Sequence, residues 1–144
     1  MSSIKIETGL KTYDIEDEHG NVRGQISFNP ADINIYPRAQ EMQKNIFKYI
    51  DDLNLSDIPE SDEEINKKID EADKLIKNEI NKLFDDPNTS QVVFGNQNSL
   101  STFKGKTFIE RFLLAFIPII QEETTKELNK SIKHAEKYTS QVTN

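Results

Sequence analysis

The stretch that decides the fold is Thr107–Ile120, TFIERFLLAFIPII, the most apolar run in the chain. At 100° per residue, Phe108, Ile109, Phe112, Leu113, Phe116, Ile119 and Ile120 share one broad face, with Glu110 and Arg111 off it. That pattern predicts a helix lying on a hydrophobic core. Leu114 and Ile117 fall outside the stripe, toward the polar side, so the helix is apolar around more of its circumference than a single packed face needs. Thr107 and Glu110 have the spacing of a capping box and mark the start. The run is too short and too charged for a bilayer span, which needs roughly 20 apolar residues. Pro118 removes one helix hydrogen bond and predicts a kink there, or a break just before it. Leu128, Ile132, Ala135 and Tyr138 resume helical spacing beyond it. Unbroken from Thr107 to Tyr138, the rod would be about 48 Å long, against a radius of gyration of about 14–15 Å for a compact chain of this size. Its end would therefore overhang the body.

Upstream, residues 1–30 read as a three-stranded antiparallel meander. Ile4 and Ile6 alternate with Lys5 and Glu7, Gly9 turns the chain, and Tyr13 and Ile15 alternate again. Asp17–Asn21 is a turn, and Val22, Gly24, Ile26 and Phe28 share the last apolar face. Residues 31–86 hold two helices. Ala39, Met42, Ile46, Tyr49, Ile50 and Leu53 form the stripe of the first, which should stop near Asn54; residues 55–60 form a linker. Ser61 and Glu64 make a second capping box, opening a helix with Ile65, Ile69, Ala72, Ile76, Ile80 and Leu83 on one side. Residues 87–106 read as one long polar loop with a single apolar patch, Val92–Phe94. A loop of that length is uncommon in a compact domain unless it has a function. The expected architecture is one α+β domain over 1–144, mostly helical. The meander leads into a small bundle of three to four helices, ending in the central apolar helix and a C-terminal helix over 107–140.

Composition narrows function by exclusion. The 144 residues contain no cysteine, so disulfides and thiolate metal sites are excluded. Net charge is −7, divided as −5 over 1–60, −4 over 61–100 and +2 over 101–144. An acidic body repels phosphate backbones, and no nucleic-acid partner is expected. Gly105-Lys106-Thr107 has the end of a P-loop, but Leu100 stands where its first glycine belongs, so the phosphate cradle is missing. The only histidines, His19 and His134, lack spaced ligand partners. The acidic turn from Asp14 to Gly20 is out of register for a calcium loop. No paired carboxylates mark an acid–base site. No catalytic residue, metal or cofactor is expected.

Several short phrases carry a resemblance: Tyr13-Asp14-Ile15, Asp17-Glu18-His19-Gly20-Asn21-Val22, Gly24, Ile26, Phe28-Asn29-Pro30 and Asp32. Two polar helices follow, then Val93-Phe94-Gly95, Asn98, Leu100-Ser101 and the apolar helix from Phe108. In length, order and phrases, the chain resembles the tail assembly chaperones of long-tailed bacteriophages of Gram-positive hosts. The resemblance implies a non-enzymatic protein, working in the host cell cytoplasm during phage assembly. It would keep hydrophobic segments of the tape measure protein soluble, help recruit tail tube protein, form a possible homo-oligomer, and be absent from the finished particle. The family has no active-site residues to transfer. On this reading Leu114 and Ile117, and secondarily Val92, Val93 and Phe94, are the exposed partner-binding residues. The alternative is a structural virion or tail completion protein, also non-enzymatic.

Overall fold

A computed structural model describes residues 1–53 and 61–142. The expected linker over 55–60 lies outside the described residues. Two antiparallel strands, β1 (Lys11–Glu16) and β2 (Val22–Phe28), lead into helices α1 (Ile35–Asp51) and α2 (Asp62–Phe84). A short helix α3 (Thr89–Phe94), a two-residue-per-strand hairpin β3 (Thr102–Phe103) and β4 (Lys106–Thr107), and a long helix α4 (Phe108–Val142) complete the chain. The fold is α+β with helix predominating, and α1 and α2 pack along each other.

The three helical stripes read from the sequence form the core. Ala39, Met42 and Ile46 of α1 cluster with Ile76 and Ile80 of α2 and with Ile109, Phe112, Leu113, Phe116 and Ile120 of α4, and Ala72 of α2 is buried as well. Ser61 caps α2 by accepting the Glu64 N–H at 3.3 Å, and Asp85 ends it in the left-handed conformation. On the sheet, the register pairs Tyr13 with Ile26 and Ile15 with Gly24. Tyr13, Ile15, Ile26 and Phe28 thus share the face turned to the helices.

Three expectations are corrected. First, the N-terminal sheet has two strands, not three; residues 1–10 form no strand, and Ile4 and Ile6 are exposed. The cause is local. The Asn29 side chain donates to the Thr8 carbonyl and also accepts the Ala31 N–H, clamping the chain before β1 to the end of β2. The residues that precede the clamp do not return along the outer edge of β1.

Second, residues 87–106 are not one loop. They fold as α3 and the β3–β4 hairpin, whose turn residues Lys104 and Gly105 both have positive φ (53° and 79°), as a tight hairpin turn demands. α3 is capped from outside: Asn81 of α2 accepts the Ser90 N–H at 2.7 Å. Asp73 of α2 holds the following segment, accepting both the N–H and the hydroxyl of buried Ser99 at 2.7 Å while pairing with Lys77 at 3.0 Å.

Third, Phe108–Val142 is a single helix of 35 residues with Pro118 inside it, so of the kink or break expected there the break does not occur, and the C-terminal helix is a continuation of the central one. The carbonyl that Pro118 leaves without its N–H partner belongs to Leu114, and both residues lie on the exposed side of α4. Water can take that carbonyl, so the ladder continues.

Gly24 permits the close approach of α3 to β2. A Cβ placed on it would stand 2.9 Å from Cγ1 of Val92. Gly24→Val is expected to cost about 1–3 kcal/mol by overpacking, and Val92→Ala in the same chain to recover part of it, read by denaturant unfolding. Asp73→Ala strands two buried donors on Ser99 and is expected to cost about 1–3 kcal/mol, whereas Lys77→Ala, which leaves both of those bonds, costs less.

Candidate protein-binding surface

Two apolar surfaces flank α4, one on each side. The first is a groove of about 410 Å3 between β1 and the first half of α4. Tyr13, Ile15, Phe112, Ala115, Phe116 and Ile119 furnish its apolar lining. Asp14, Glu16, Asp17 and Glu18 border it on the strand side, with Arg23 and Arg111 at the same end. Neither arginine is placed by chance. Gly95 leaves room for the Arg23 guanidinium, with which a Cβ there would collide. The Arg111 guanidinium lies 4.8 Å from the centre of the Phe108 ring and donates to the Ser101 carbonyl at 3.3 Å, while its Nε is buried without a partner.

Both ends of the groove are pinned to the body. At the start of α4, Thr107 Oγ1 accepts the Glu110 N–H at 3.2 Å, as the capping spacing predicted, and the Ser99 carbonyl accepts the Ile109 N–H at 2.9 Å. At the far end, Thr124 donates to the Pro30 carbonyl at 2.6 Å, Gln121 donates to the Tyr36 hydroxyl at 2.9 Å, and Lys11 pairs with Glu123 at 3.0 Å. That pair holds the Glu123 carboxyl below its ordinary value and the Lys11 ammonium above its own, in each case chiefly through the hydrogen bond between them. In the β1–β2 turn, Asp17 is likewise held low, first by the Asn21 N–H and then by that of His19.

The second surface is the outer side of α4. Leu114 is 56% exposed. Two heptads on, Leu128 is half exposed, and Ile132 follows at the next turn. From Leu128 to Lys137 every side chain is exposed, so this part of the helix stands off the body.

The residues singled out in the sequence divide. Leu114 lies on the free surface. Ile117 is half-buried against the core. Val93 and Phe94, expected as exposed contacts, are 2% and 0% exposed, and Val92 is packed onto Gly24. The patch is the inner face of α3: Phe94 sets its ring 5.0 Å from Phe108, edge to face. The groove was missed because four separate elements build it; the glycine inside β2 was the one local sign of a close approach. Gly105-Lys106-Thr107 sits in a hairpin turn and its second strand, not a phosphate loop. Among the described residues, no group of three or more His, Cys, Asp or Glu side chains could hold a metal ion, and no helix is long and apolar enough to cross a membrane.

The lowered carboxyls fix the sign of an acid effect. What Glu123 and Asp17 contribute to stability is present above their ordinary values of 4.5 and 3.8 and is lost as pH falls through their lowered folded values. The Lys11 share is lost only as pH rises past 10.5. The thermal midpoint should therefore drop more steeply between about pH 5 and about pH 3 in the native chain than in Glu123→Gln, with the difference shrinking in high salt. Comparison with protein-family models, with curated proteins and with solved structures finds no match to this chain.

Proposed function

We propose that this chain is a non-enzymatic assembly chaperone for a phage tail, binding hydrophobic helical segments of a tape measure protein. The observation that carries the reading is the outer side of α4. Leu114, Leu128 and Ile132 lie along one side of a helix whose residues 128–137 are all exposed. An amphipathic client helix can be received by Leu128 and Ile132, one turn apart, with Leu114 two heptads before Leu128 on the same side. The acidic body, within a chain of net charge −7, keeps the complex soluble.

The reading is tested by co-expression and co-purification with a tape measure protein. Native protein should retain the client. The triple variant Leu114→Glu, Leu128→Glu, Ile132→Glu should lose it by at least about tenfold in affinity, with a midpoint of thermal unfolding close to native, since all three side chains are on the surface. A native chain that leaves the tape measure protein insoluble, or a triple variant that still holds it, would overturn the proposal.

A further inference from the structure

The geometry points to a self-association in which residues 4–7 of one copy add to the outer edge of β1 in a second copy, placing Ile4 and Ile6 in that copy's groove. Two unsatisfied features fit one another. β1 is the edge of a two-stranded sheet, and among the described residues its outer peptide groups have no strand partner. Ile4 and Ile6 are 89% and 76% exposed, and they alternate with Lys5 and Glu7 in the pattern of a strand with one apolar face.

Charge selects the direction. An antiparallel register that sets Ile6 against Tyr13 and Ile4 against Ile15 puts both isoleucines on the groove face. It also sets Lys5 against Asp14, and Glu7 against the uncharged Thr12. The parallel register that covers the same two groove residues sets Glu7 beside Glu16, a like-charge pair. The acidic border of Asp14, Glu16, Asp17 and Glu18 thus meets a lysine flanked by two apolar side chains.

The clamp at Asn29 selects the donor. Asn29 follows β2 and bonds the Thr8 carbonyl, so Thr8 lies on the inner side of β1. A strand on the outer edge would stand about 4.8 Å beyond β1 and about 9.6 Å from β2, farther than an asparagine side chain reaches. The chain's own segment cannot keep the clamp and also line its own edge, whereas a second copy's segment can.

The inference does not depend on the tape measure reading, because it engages β1 and residues 4–7 and leaves the outer side of α4 free. It is tested by sedimentation of the full chain at rising concentration, with Ile4→Asp, Ile6→Asp beside it. Native protein should dimerise. The double variant should raise the dissociation constant at least about a hundredfold without moving the unfolding midpoint of the monomer, because both positions are exposed there. The chain has no cysteine, so Lys5→Cys with Asp14→Cys gives an unambiguous second reading, with oxidation yielding a reducible covalent dimer. A native chain that stays monomeric at high concentration, a double variant that dimerises unchanged, or a bond formed only within one chain would each overturn it.

Discussion

The ring of Phe28 is the contact on which the remaining packing depends. A two-stranded sheet is at best marginally stable alone, and this one is held to the helices by that side chain. Phe28 stacks on Tyr13 within the sheet at 4.9 Å, then meets Phe84 of α2 at 5.6 Å and Phe116 of α4 at 5.2 Å, both edge to face. Phe84, Phe112 and Phe116 close the cluster among themselves, and Phe94 brings in α3 through Phe112. Such pairs add about 0.5–1.5 kcal/mol each beyond the area they bury, and they fix relative orientation, which aliphatic contacts do less well. Because the anchor sits on β2, β1 is carried as an outrigger. Its inner face turns toward α4 without being filled by it, and the groove is the space that remains.

The second constraint is length. Thirty-five helical residues span about 52 Å, against a body whose radius of gyration is about 14–15 Å. Thr124, Gln121 and Glu123 tie α4 to the strands and α1, and from Leu128 to Lys137 every side chain is then exposed. In that region Glu127 and Lys130 pair at 3.5 Å, a local support of the kind that sustains an exposed helix without packing.

What the sequence made legible, and what it did not, follows from the reach of each physical signal. Helical periodicity is read over about three turns, and α1, α2 and the first half of α4 supply that much: Ala39, Met42 and Ile46, or Ile109, Phe112 and Phe116, fall where spacing predicts. The caps at Ser61 and Thr107 are equally local. α3 has six residues, too few to show a period, and its start is capped by Asn81 from another helix. Val92-Val93-Phe94 therefore read as a sticky patch in a loop when it is the buried side of a helix. The third strand failed for a similar reason. Alternation at Ile4 and Ile6 shows which face would be apolar, but not whether the edge it needs can be reached, and a clamp from Asn29 decides that. At Pro118 the local rule was sound about the lost hydrogen bond and silent about which side of the helix it was lost from.

These mismatches share a cause that bears on how the chain could work. The core is complete without residues 4–7 and without the second half of α4, yet both segments keep the apolar periodicity of elements that bury a face. A sequence under pressure only to fold alone would have little reason to hold Ile4, Ile6, Leu128 and Ile132 in water, since consistent patterning ordinarily ends where burial ends. If both surfaces are used, they can be used together, because the groove takes the side of α4 that carries Phe112, Phe116 and Ile119, and Leu114, Leu128 and Ile132 lie on the opposite side. A two-fold pairing through β1 would be isologous, each copy both giving and receiving a strand, and would double the number of free α4 tails in one particle. A client with several apolar helical segments along its length would then be held by two tails at once, and the second contact would benefit from effective concentration without any new interface.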